Sequence, residues 1–102
     1  MIVFDYNKAM GLVLELRQIA AELNNIKNGD LANAISGVQG GWQGNTSERF
    51  LGKCDELYDL IANEIININN VANSLERTSN DIDRTEREAA DAFKHFITGG
   101  IL

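Results

Sequence analysis

A few side chains in this sequence have the types needed for metal or covalent chemistry, and their surroundings decide what they do. Asp55, Glu56 and Asp59 place three carboxylates close together, the donor set of a divalent-cation site or of a general acid and base. Neighbouring acids on a helix mostly face water. A di-metal helical bundle would need Glu-x-x-His pairs on separate helices, and this chain has a single histidine, His95. His95 reads as a helix-end cation or a surface residue. Cys54 falls on an apolar seam beside Leu57 and Ile61, a setting for packing rather than for a nucleophile, and no histidine base stands near it in sequence. One cysteine also excludes an intramolecular disulfide. No glycine-rich loop follows a strand, so nothing offers a phosphate cradle. The expectation is a protein that is not an enzyme, with no catalytic residue, no cofactor and no metal.

Composition points to helices. The 102 residues contain no proline, which long uninterrupted helices exclude, and 44% are hydrophobic while only 7% are aromatic. A formal charge of −6 with scattered bases disfavours a nucleic-acid groove or an anionic membrane surface. Asp5, Lys8 and Glu15 interrupt any N-terminal signal core, and no segment approaches the length that spans a bilayer. The protein is therefore expected in the cytoplasm, or outside the cell by a route that does not read an N-terminal signal.

Two seams give the layout. After an apolar lead-in at Met1 to Tyr6, with Asp5 or Asn7 as the cap, Leu12, Leu16, Ile19, Leu23 and Ile26 recur at alternating steps of four and three. Asn28-Gly29-Asp30 interrupts them. Leu31, Ala34, Ile35, Val38 and Trp42 then resume the stripe about one position out of phase. A kink with Asp30 as a new cap accounts for this, and so does a single bent helix. On the far side Phe50, Cys54, Leu57, Ile61, Ile65, Ile68, Ala72 and Leu75 form a second seam, continued by Ile82, Ala89, Phe93 and Phe96. It predicts one helix from about 46 to 97, with Asp83–Arg87 and Arg84–Glu88 pairs along it and Gly99-Gly100 as its stop. Ile65 to Asn70 is rich in Ile and Asn, poor helix formers, yet it stays in phase with the flanking seam.

Between the seams lies Gly40-Gly41-Trp42-Gln43-Gly44-Asn45, with the only tryptophan. Gly44 suits a left-handed conformation, Asn45 followed by Glu48 suits a helix start, and Trp42 can pin the two arms together. The fold class is an all-α antiparallel helix-turn-helix hairpin, one domain over residues 1–102. Leu51, Tyr58 and Ile66 stand off the main seam, and Leu12-Val13-Leu14 is apolar on more than one side. Two such hairpins would cover these faces by pairing into a four-helix bundle. The expected partner interface comprises Leu12, Leu16, Ile19, Leu23, Leu57, Tyr58, Ile61 and Ile65.

These features together resemble the WXG-hundred family of early-secreted-antigen (Esx) type. The resemblance covers nearly the whole chain: about one hundred residues, two helices, and Trp42-Gln43-Gly44 at the reversal, followed by a polar stretch and an aromatic, Phe50. Near the C-terminus Ile82, Glu86, Ala89 and Phe93 match the spacing of the family's second pattern. Many members have a tyrosine four residues before the acid, where this chain has Ile82. The resemblance implies a non-enzymatic substrate or targeting partner of a type VII secretion system in Gram-positive bacteria or mycobacteria. It implies a homodimer, or a heterodimer with another helical protein of this type or with the helical N-terminal region of a larger secreted protein. It further implies delivery to the secretion ATPase, with Trp42 and Gly44 as the turn motif and Ile82, Glu86, Ala89 and Phe93 as the secretion signal. With Ile82 in place of the tyrosine, a companion chain would supply part of that signal. The rival classes are a cytosolic helical adaptor with no export role and a bundle enzyme or metal carrier.

Overall fold

The computed structural model describes residues 4–41 and 43–101, and among them every element is helical. Helix α1 covers Tyr6–Ile26 and α2 covers Ala32–Gly41, joined by a π-helical turn at Lys27–Leu31. Helix α3 covers Asn45–Ile101. The chain is a helical hairpin 87 × 19 × 16 Å in extent. At the standard rise, α3 alone accounts for roughly 85 Å of that length.

Each boundary has a local cause. The Asp5 side chain accepts the Lys8 amide at 3.0 Å and caps α1, as its residue type predicts. Between Gly41 and Asn45 the chain reverses. Gly44 has φ +95°, and its carbonyl accepts the Glu48 amide at 3.2 Å and the Ser47 hydroxyl at 2.7 Å. Gly44 therefore stands in the cap position and Asn45 is the first helical residue, one position later than its expected role. Glu48 in the first turn complements the positive end of the helix dipole. Trp42 lies outside the described residues.

Two expectations are corrected. Asp30 caps nothing, because the helix does not break: Lys27–Leu31 widens into one π turn and α2 continues from it. A π turn accommodates one extra residue, which is why the stripe resumes one position out of phase. Removing one position from this turn would bring Leu31, Ile35 and Val38 back into step with Leu23 and Lys27. Gly99-Gly100 does not stop α3, which runs through both to Ile101. Gly44 is the one described glycine with positive φ, so the left-handed cap that would end the helix at Gly99-Gly100 does not form.

Three cross-links set the antiparallel register. Tyr6 Oη donates to Asn80 Oδ1 at 2.8 Å, Arg17 donates to Glu76 at 2.8 Å and Asn73 at 3.1 Å, and Lys27 Nζ sits 4.9 Å from the centre of the Tyr58 ring. The inner seam of α1 is Ala9, Val13, Leu16, Ala20 and Leu23, buried or half-buried. Its steps of four and three match Cys54, Tyr58, Ile61, Ile65, Ile68, Ala72, Leu75, Ser79 and Ile82 on α3, the pattern that lets two helices interlock. Tyr58, expected off this seam, takes the place expected of Leu57, which is 47% exposed, and Phe50 is 40% exposed. Leu12, Ile19 and Ile26 stand one step to the side and are exposed at 48%, 45% and 45%. The hairpin buries the stripe with small residues because alanines let the helix axes approach closely.

Candidate interaction surface

The hairpin has two unlike sides. Arg17 follows Leu16 of the α1 seam, Glu76 follows Leu75 of the α3 seam, and their ion pair closes one side. The flanking residues on that side (Ala62, Asn69, Glu76 and Asp83) are half-buried. The other side holds the residues that precede the seam. Leu12, Ile19 and Ile26 come from α1, with Leu57 and Val71 from α3, and all five are exposed. Glu64 is the one acid among them. The result is an apolar ribbon along one side of the molecule.

The expected interface residues divide across this geometry. Leu16, Leu23, Ile61 and Ile65 are half-buried inside the hairpin, and Tyr58 lies under Lys27 with 37% exposure. Leu12, Ile19 and Leu57 are on the ribbon. Val71 completes it, a surface position that the sequence reading misses. Its signal is the seven-residue step from Leu57 through Glu64, which needs the register before it can be read. Arg17, expected on the wet side, instead reaches across to α3.

The second feature is the length of α3. Tyr6 lies opposite Asn80, so α3 projects beyond the hairpin for roughly 27 Å from Arg84 to Ile101. Every residue from 84 to 99 is exposed. The seam nevertheless continues in phase through Ile82, Glu86, Ala89, Phe93 and Phe96, now with no helix against it. Phe93 and Phe96 are exposed at 64% and 74%. Of the four expected signal residues, Ile82 is half-buried near the start of α1, and Glu86, Ala89 and Phe93 lie on the overhang. Asp83–Arg87 at 3.1 Å and Arg84–Glu88 at 3.8 Å pair as their spacing predicts, and Arg84 also reaches Asp81 at 3.3 Å.

The remaining chemistry-bearing residues are placed simply. Cys54 is buried in the seam. Asp55, Glu56 and Asp59 are exposed, with Glu56 paired to Lys53 at 3.3 Å. His95 is exposed in a shallow groove on α3 with Asp91, Lys94, Thr98 and Gly99. Among the described residues no group of three His, Cys, Asp or Glu side chains is placed to hold a metal ion. Among the same residues no helix is long and apolar enough to cross a membrane.

Fold and surface together define an all-α helical hairpin with an uncovered apolar side. No protein-family model, no curated protein and no solved structure matches the chain.

Proposed function

We propose that this protein is a non-enzymatic partner or substrate of type VII secretion that works by pairing with a second helical hairpin. The observation that carries the pairing is the surface left open. The chain exposes 7893 Å², against about 5,700 Å² for a compact monomer of this mass. Its radius of gyration is 24.0 Å, against about 13 Å for a compact chain of this length. Apolar residues on the ribbon and the overhang are part of this open surface. Covering it with a second hairpin, as in a four-helix bundle, is the economical solution. The partner is another copy, a similar helical protein, or the helical N-terminal region of a larger secreted protein.

The export role rests on the Trp42-Gln43-Gly44 motif, whose Gly44 makes the reversal between α2 and α3, and on the exposed segment carrying Glu86, Ala89 and Phe93. In this reading the protein starts in the cytoplasm, presents the C-terminal end of α3 together with its helical partner to the secretion ATPase, and reaches the cell surface or the medium. The experiment compares the chain in medium and cell fractions of its host with the secretion ATPase intact and deleted. ATPase-dependent export that Glu86→Ala with Phe93→Ala abolishes supports the reading. A chain retained in the cytoplasm in both strains, with no secreted partner co-purifying, favours the adaptor without an export role.

A further inference from the structure

The ribbon and the overhang fit each other. The ribbon runs roughly 21 Å along α1 from Leu12 to Ile26, and the overhang is roughly 27 Å long. The overhang's seam is bordered by Ala90, Ala92 and Gly99, small residues that permit close helix approach, with Phe93 and Phe96 projecting between them. Charge favours the same match. From Arg84 to Ile101 the bases Arg84, Arg87 and Lys94 balance the acids Glu86, Glu88 and Asp91, so all six net negative charges of the chain lie in the first 83 residues. Setting one hairpin body flush on another would oppose two such bodies, whereas an overhang lying on a body opposes a neutral helix to an acidic one.

We propose that the occupant of the ribbon is the C-terminal overhang of a second copy of this chain, exchanged reciprocally in a staggered two-fold dimer. The inference rests on the pairing reading above and fixes its register. The overhang lies parallel to the α1 it covers, with its seam inward. The right-handed winding of the helix then turns Arg87 and Lys94 toward the outer edge of that α1. Glu15 and Glu22 stand on this edge, seven residues apart, as Arg87 and Lys94 are. One axial offset brings Arg87 to Glu15 and Lys94 to Glu22, and it brings Phe93 and Phe96 beside Ile19 and Ile26. The same two-fold axis places the first copy's overhang on the second copy's ribbon, so the contact closes at two chains. Each overhang makes a three-helix bundle with its partner's hairpin. A flush antiparallel four-helix pairing leaves Phe93 and Phe96 of both copies in water, and the stagger covers them.

The test is a charge exchange in the full chain, read as the dimer dissociation constant by sedimentation equilibrium, with helicity by circular dichroism as the check on folding. Arg87→Glu with Lys94→Glu is expected to weaken association roughly tenfold, and Glu15→Lys with Glu22→Lys by a similar factor. The four changes together are expected to restore it to within about threefold of the parent. A combined variant no tighter than either half overturns the register while leaving pairing of hairpins intact. Phe93→Ser with Phe96→Ser changes residues exposed in the single chain, so it leaves helicity unchanged and is expected to abolish the dimer. A dimer that survives it overturns the exchange. A parent chain that is monomeric at every concentration overturns the second copy as occupant, and a different hairpin remains as the partner of the proposed function.

Discussion

Replacing Val13 or its neighbour Leu12 with glutamine tests which stripe of α1 the hairpin buries. Val13 has no exposed surface, and Leu12 is 48% exposed. Val13→Gln gives up the burial of a valine, about 1.5–3 kcal/mol. It also forces an amide into the seam at a further ~1–3 kcal/mol if left unpaired. The sum is about 2.5–6 kcal/mol, a large share of the roughly 5–15 kcal/mol that holds a domain of this size together. Leu12→Gln loses only about half of a leucine's burial, and the glutamine stem replaces part of it, so about 1 kcal/mol is expected. Glutamine is a good helix former, so propensity does not blur the contrast. Urea and thermal unfolding followed by far-ultraviolet circular dichroism, at the lowest workable concentration to exclude pairing, measure both. At about 4–8 °C per kcal/mol, Val13→Gln should melt at least about 10 °C lower than the parent. Equal losses for the two variants would refute the inner seam through Val13, and a larger loss for Leu12→Gln would assign the inner position to the Leu12–Ile19–Ile26 stripe.

Further outcomes follow from single features. The buried Ser79 hydroxyl has no hydrogen-bond partner among the described residues, so Ser79→Ala should stabilise the hairpin by about 1 kcal/mol in the same urea assay. Gly44 holds φ +95°, and nothing lies within 4 Å of where a Cβ would stand, so Gly44→Ala should cost about 1 kcal/mol through backbone strain alone. Deleting Gly29 should convert the π turn to an α-helix with its seam in phase, leaving the melting temperature equal or higher; a collapse of helicity would refute the one-residue account. Arg17→Ala should cost no more than about 1 kcal/mol, because the Arg17–Glu76 pair is more than a third exposed and water screens it.

Much of the architecture is legible in the sequence because period and punctuation act locally. Asp5, the phase of the second seam from Ile61 onward, the absence of proline and the glycine at the reversal each have a local physical consequence that the fold repeats. The choice between adjacent stripes is different. Leu16 and Leu23 belong to both the predicted and the observed α1 seam, and the neighbours that decide between them are Ala9, Val13 and Ala20 against Leu12, Ile19 and Ile26. Hydrophobicity favours the larger set. Close approach to α3 favours the smaller one, and that depends on a partner helix far along the chain. The phase slip after Ile26 is likewise visible, but a cap at Asp30 and a π turn produce the same slip in sequence. For the interaction surface, the residue types are apparent and their grouping is not, because Leu12 and Val71 fall on one side of the hairpin only once Arg17 has fixed which flank of α3 it meets.

The unequal lengths of α1–α2 and α3 also shape how the chain orders itself. An isolated helix as short as the overhang is marginal in water, because starting the first turn is unfavourable. Here the start has already been made: α3 enters the overhang as a formed helix held by the hairpin up to Ile82. Residues 84–101 extend it one hydrogen bond at a time, and they unravel in the reverse order from Ile101. Amide exchange should therefore rise steadily from Ile82 toward the C-terminus, unlike the cooperative protection of the hairpin body. A companion that grips the last turns can peel or lock this segment without opening the hairpin behind it.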